Sequence, residues 1–158
     1  MFSRPWKHAQ RVAERNDNPF DRAYTEFMAA HHAVLTEKWG VAAAFARSSI
    51  DISDRHNFPQ FAANSRVALG RAQAGLGALA EGRELIREGL DRMAAASVRV
   101  MITVYFGWLA EVHLLAVSFD EAKAAVDEAL TVNPQELFFR PEAVRLRGEV
   151  ARRLGDPS

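Results

Sequence analysis

A forty-residue interval runs through this chain and constrains its fold more than any composition does. Trp39, Leu79 and Phe119 stand forty residues apart, and the segments that begin there align without gaps: "WGVAAAFARSSIDIS", "LAEGRELIREGLDRM" and "FDEAKAAVDEALTVN". Ala42, Gly82 and Ala122 coincide, as do Ala46, Ile86 and Val126, and Ile50, Leu90 and Leu130. Apolar or small residues at i, i+3, i+7 and i+11 mark one buried face of a helix. A second helix precedes each of these, in "AYTEFMAAHHAVLTEKW", "ANSRVALGRAQAGLGAL" and "VYFGWLAEVHLLAVSF", and a fourth such segment, "EAVRLRGEVARRLG", ends the chain. Self-similarity at this period is the signature of stacked helix pairs, each burying its apolar face on its neighbours.

The matched small residues Ala30, Gly70, Ala110 and Gly148 are expected where neighbouring helices cross closely. Seven residues later come Glu37, Gly77, Val117 and Gly155, a position suited to the left-handed turn that ends a helix. Ser118 and Glu121 have the spacing of a capping box for the following helix. This assignment also disposes of "GLGALAEG", in which Gly75, Gly77 and Ala80 mimic a dinucleotide-binding loop. Such a loop follows a β-strand, whereas the preceding "NSRVALGRAQA" has helical period, so the glycines read as architectural. The expected fold is all-α: seven or eight helices in a right-handed solenoid of antiparallel pairs. Residues 1–158 form one repeat domain, with a partial unit at 1–20, units at 21–57, 58–97 and 98–134, and a terminal helix at 135–158.

Ala110, Ala122, Val126, Ala129 and Pro134 stand at spacings that resemble the tetratricopeptide repeat, though the interval exceeds that family's usual length. More narrowly, "ALGRAQAGLGALAEGRELIREGL", "LAEVHLLAVSFDEAKAAVDEAL" and "RPEAVRLRGEV" resemble the C-terminal repeat region of bacterial signalling ATPases and adenylate-cyclase-type regulators. In that family a cyclase-like or winged-helix domain precedes an ATPase module and then the repeats. The resemblance runs from about Trp6 to Gly155 and implies a sensor or interaction arm whose partner is a peptide, a protein or an upstream ATPase or cyclase domain. This chain has no phosphate-binding Lys loop, no cyclase aspartates and no basic DNA-reading helix, so the expectation is a non-enzyme.

Twenty Lys and Arg balance twenty Asp and Glu, which removes the net positive field that non-specific nucleic-acid binding uses. There is no cysteine, hence no disulfide framework and no thiol chemistry. The polar start and the lack of a long apolar run argue against a signal peptide or membrane span, giving a cytoplasmic expectation.

No constellation for catalysis emerges. His31 and His32 point about 100° apart on a helix, and His8, His56 and His113 lie in other segments, so no metal or cofactor is expected. Glu111 and Glu149 occupy matched positions but lack the companions of an acid/base pair. The last helix carries Arg140, Arg145, Arg147, Arg152 and Arg153, the basis of an alternative reading as a nucleic-acid-associated fragment, in which Phe138 and Phe139 are instead expected to plug the end of the last layer. A small-molecule sensor pocket inside the superhelix is a third reading. The resemblance places Tyr24, Phe27, His31, Asn64, Val67, Arg71, Gly107, Glu111, Leu114, Arg145 and Glu149 on the concave face, where an extended peptide or partner helix would lie. The unpaired Trp6, Val12 and Ala13 of the first half-unit suggest a homodimer.

Overall fold

The computed structural model describes residues 18–155, in which seven α-helices follow one another with no strand between them. They are α1 (Pro19–Leu35), α2 (Trp39–His56), α3 (Pro59–Gly75), α4 (Leu79–Ala95), α5 (Ile102–Leu115), α6 (Phe119–Thr131) and α7 (Arg140–Leu154), with a short 3₁₀ turn, Leu137–Phe139, before the last. The forty-residue interval is the helix interval: Trp39, Leu79 and Phe119 are the first residues of α2, α4 and α6. Pro19 and Pro59 open α1 and α3, where a missing N–H costs nothing and the fixed φ favours the helix. The chain is a helical repeat solenoid, as the periodicity predicts.

The turns keep half that interval. Glu37, Asn57, Gly77, Ser97 and Val117, each twenty residues after the last, all have positive φ. At each, the next residue's N–H closes a six-residue loop onto the preceding helix: Lys38 to Ala33 O (2.8 Å), then Phe58 to Ser53, Ala78 to Gln73, Val98 to Met93 and Ser118 to His113 (2.9 Å each). This is the Schellman termination, which satisfies a carbonyl otherwise orphaned at the helix end. Gly77, at φ 97°, and Asn57, at φ 58°, are the residue types suited to that backbone; Glu37, Ser97 and Val117 are not. The capping box at Ser118 does not form, since that side chain makes no cap hydrogen bond. The reciprocal half is blocked as well, because Ser118 N–H is committed to the His113 carbonyl and leaves Glu121 no donor to reach back to.

Packing follows the small residues. A Cβ on Gly70 would stand 2.5 Å from the Gly82 carbonyl oxygen, and one on Gly89 2.5 Å from a Val67 methyl carbon, so α3 and α4 touch through glycine. Trp39 lies against Gly75. Ala42, Gly82 and Ala122 are all buried, as their shared register requires. One polar chain crosses this interior: Ser65 Oγ donates to Ser49 Oγ (2.9 Å), which donates to Ala23 O (3.0 Å), tying α3, α2 and α1 together. Gly148 departs from its set, because nothing among the described residues stands within 4 Å of where its Cβ would be. Among the described residues no helix crosses α7 there.

The period breaks before α5. Its N-terminus is capped from a distance, by Glu136, whose carboxylate accepts from Met101 N (2.7 Å) and Thr103 N (2.9 Å). A carboxylate at a helix N-terminus meets both free N–H groups and the positive end of the dipole. Phe139 packs against the main core, while Phe138 is 85% exposed. Only Phe139 plugs the layer.

Candidate interaction surface

The first helices of the pairs, α1, α3, α5 and α7, carry the residues expected on the concave face. α5 supplies the decisive ones, because "ITVYFGWLAEVHLL" is apolar around nearly its whole circumference. Its Tyr105 and Trp108 are buried and reach α1. The Tyr105 hydroxyl lies 2.7 Å from His31 Nε2, and the Trp108 ring centroid 5.3 Å from that of His31. His31 Nδ1 lies 3.1 Å from the Phe27 carbonyl oxygen. A carbonyl only accepts, so Nδ1 carries the proton and Nε2 accepts from the tyrosine. Burial pushes His31 down to about 4 despite its hydrogen bond to the Phe27 carbonyl, so it is neutral near pH 7. Burial, and after it the charge of Glu136, raises Tyr105.

This contact joins two helices separated by a whole pair in sequence, and it encloses several of the residues expected on the concave face. Phe27, His31, Asn64, Val67 and Gly107 are all buried. Val67 faces Gly89 of α4, on the side away from any groove. Phe27 stacks against Phe61 at 5.8 Å and meets His31 edge-on at 4.4 Å. The physical reason is volume: two large aromatic side chains on α5 fill the interior of so tight a superhelix. Asn64 is enclosed with its side-chain oxygen unpartnered among the described residues.

Two stretches of this face remain accessible. At the N-terminal ends, Phe20 and Tyr24 are each about half exposed and cluster with Phe58 and Phe61. At the opposite end, a cavity of about 190 Å³ opens between α5 and α7, walled by Leu35, Trp108, Gly107, Glu111, Glu142 and Leu146 among others. Glu111 Oε2 accepts from Arg71 Nε at 2.9 Å, and the Arg71 guanidinium sits 4.6 Å over the Trp39 ring. Arg71 is thus held between an aromatic face and a carboxylate, aligned by packing on two sides. Leu114 is half-buried against the core. Arg145 pairs with Glu142 at 2.6 Å, and Glu149 pairs with Arg152 and Arg153.

The structure therefore brings Arg71, Gly107, Glu111 and, through Glu142, Arg145 to one end, and leaves Tyr24 at the other. Sequence reasoning missed Leu35, Trp39, Trp108 and Glu142. A signal existed for Trp108: it stands forty residues after Ala68, a tryptophan where the matched residue is small. Glu111 and Glu149, considered as an acid/base pair, are each tied up with arginine. Of the five terminal arginines, Arg145, Arg152 and Arg153 have glutamate partners, and Arg140 donates to Leu130 O at 3.3 Å. Among the described residues no cluster of three His, Cys, Asp or Glu side chains is placed to hold a metal, and no helix is long and apolar enough to cross a membrane.

No family model matches this sequence, and no curated protein matches it. Solved structures do. The fold is similar to that of BtubC (BKLC) from P. vanneervenii, with a TM-score of 0.76 at 13% identity, over 97% of this chain and 68% of that one. It is also similar to a tetratricopeptide-like protein from Chlorobium tepidum TLS, with a TM-score of 0.66 at 17% identity, over 87% of this chain and 96% of that one. The shared property is the fold: this chain has a tetratricopeptide-like, all-helical architecture.

Proposed function

We propose that this chain is a non-catalytic protein-interaction module, the repeat arm of a bacterial cytoplasmic signalling ATPase or regulator, and that it seats a partner peptide at the α5–α7 end of its inner face. The tetratricopeptide-like fold is consistent with an interaction module. The observation that carries the site is the cavity between α5 and α7, where an apolar floor of Trp108 and Leu146 meets the ordered Arg71–Glu111 pair. Its roughly 190 Å³ suits one apolar anchor side chain of an extended segment. Glu111, which accepts from Arg71 through Oε2, then offers Oε1 at the rim to that segment's backbone N–H groups or to a basic residue. Self-association through the first half-unit belongs to the same reading, but Trp6, Val12 and Ala13 lie outside the described residues.

Selection of peptides from a displayed library tests the site. The Cβ position of Gly107 meets only Leu146 Cδ1, at 3.5 Å, within 4 Å, so Gly107→Trp fills the cavity and should abolish binding of enriched peptides, while Glu111→Lys weakens it. Enriched peptides that bind both variants as well as the wild type, or a library that yields none, would overturn the assignment. Light scattering on the wild type and on Trp6→Glu with Val12→Glu tests the homodimer; a monomer at high concentration would remove it.

A further inference from the structure

One enclosed hydroxyl at the α5–α7 cavity has no partner. Thr103 lines that cavity and is 2% exposed, and its Oγ1 makes no hydrogen bond among the described residues. Thr36 and Thr131 show the usual solution at a helix: each hydroxyl donates to the carbonyl four residues back, His32 O at 2.8 Å and Asp127 O at 2.9 Å. Thr103 is the second residue of α5, so the residue four back, Arg99, lies before the helix. The Arg99 carbonyl accepts from Ile102 N instead, at 3.4 Å. Glu136 takes the backbone N–H of Thr103 at 2.9 Å and that of Met101 at 2.7 Å, and not the hydroxyl. An enclosed hydroxyl without a partner costs stability, and valine would fill the same space without that cost.

The cavity is polar at its ends and apolar between them. Thr103, Gly107 and Glu111 follow one another at single-turn spacing along α5, and all three line it. Along that helix Thr103 and Glu111 are separated by about 12 Å, at 1.5 Å per residue. Midway, Gly107 contributes no side chain, and within 4 Å its Cβ position meets only Leu146 Cδ1, at 3.5 Å. Val104, Trp108 and Leu146 supply apolar walls. At the rim Glu142 is held by Arg145 at 2.6 Å and Glu111 by Arg71 at 2.9 Å. The Thr103 hydroxyl is the polar group left over.

We propose that the anchor side chain seated in this cavity is a tyrosine, its ring over Gly107 between Trp108 and Leu146, its hydroxyl bonded to Thr103 Oγ1. Tyrosine selection presupposes that the cavity seats a peptide and adds what the cavity discriminates. From Gly107 to Thr103 is one helical turn, about 6 Å, a span that a phenol ring covers. Leucine or phenylalanine fills the apolar middle but leaves the hydroxyl unpaired. Serine or asparagine is too short to pass the walls, and lysine or arginine carries a charge past the rim into apolar surroundings. Tyrosine joins a flat apolar body to one polar tip. Its hydroxyl and that of threonine can each donate or accept, so the pair forms in either sense.

Peptides selected from a displayed library against the full chain should carry tyrosine at the position that Gly107→Trp excludes. For the most enriched peptide, replacing that tyrosine with phenylalanine should weaken binding to the wild type about five- to tenfold in fluorescence anisotropy. Against Thr103→Val the two peptides should bind alike. Thr103→Val should also melt no lower than the wild type, because the free chain loses no hydrogen bond. Equal binding of both peptides to the wild type would overturn the tyrosine anchor and leave the cavity as a peptide site. No enrichment, or binding that survives Gly107→Trp, would remove both. A lower melting temperature for Thr103→Val would mean that the hydroxyl is already paired in the free chain, and would overturn the anchor as well.

Discussion

Lowering the pH should unlock the contact between α1 and α5, and the amount follows from His31. The ring is fully enclosed, and burial pushes it down to about 4 from an ordinary 6.5. Each tenfold loss of proton affinity is worth about 1.4 kcal/mol, so the difference amounts to about 3 kcal/mol. Its sign is fixed by linkage. The unfolded chain binds the proton below about pH 6.5 while the folded one resists it, so this contribution is complete above about pH 6.5 and gone by about pH 4. His113 moves the same way, lowered by burial and by Arg87 and Arg83, so wild-type stability alone does not isolate His31. The comparison is with His31→Gln, whose amide can donate to the Phe27 carbonyl and accept from Tyr105 without titrating. Urea unfolding followed by far-UV circular dichroism, at several values between about pH 7 and pH 4, gives both curves. The gap between them should narrow by about 3 kcal/mol toward acid, with the wild type falling faster. Curves that stay parallel through that window would refute the placement of His31, whatever the absolute stabilities.

Three further outcomes test the packing and the turns. Gly70→Ala should cost about 2–3 kcal/mol in urea unfolding, because its Cβ would meet the Gly82 carbonyl oxygen at 2.5 Å, whereas Gly148→Ala should gain up to about 1 kcal/mol from helix propensity alone. Val117→Gly should stabilise by about 1 kcal/mol, since a β-branched residue is held at φ 57° on an exposed turn; an unchanged melting temperature would contradict that strain. Glu136→Gln should cost about 1 kcal/mol and loosen amide exchange at the start of α5, the only helix start that carboxylate caps.

The repeat register was legible because it is written in helix starts. An aromatic or leucine opens α2, α4 and α6, prolines open α1 and α3, and small residues mark the α3–α4 crossing. What escaped the sequence was each device that acts between distant elements. Glu136 lies outside the repeat pattern and looks like loop polarity until its carboxylate is seen over Met101 and Thr103. The left-handed turn at Ser97 was equally hidden, because serine is not a residue that favours that backbone, whereas Asn57 carried a readable signal, asparagine being second to glycine there. At Val117 the aligned position was visible and its residue unfavourable, so the register, rather than the side chain, decided the turn.

The inner face shows why a repeat rule gives positions without giving access. Register assigns Phe27, His31, Asn64 and Val67 to the first helices of their pairs, which is where they lie. Whether such positions see solvent depends on how tightly the superhelix closes, and that depends on residues a pair or more away. Tyr105 lies 74 residues after His31, beyond any pattern within one forty-residue unit. Small residues at its position and at Trp108 would leave α1 and α5 apart and the middle of the face open. Two large aromatics instead bridge the gap between these helices and move the accessible chemistry outward. One part goes to the Tyr24 cluster, the other to the cavity beside Gly107 and Glu111.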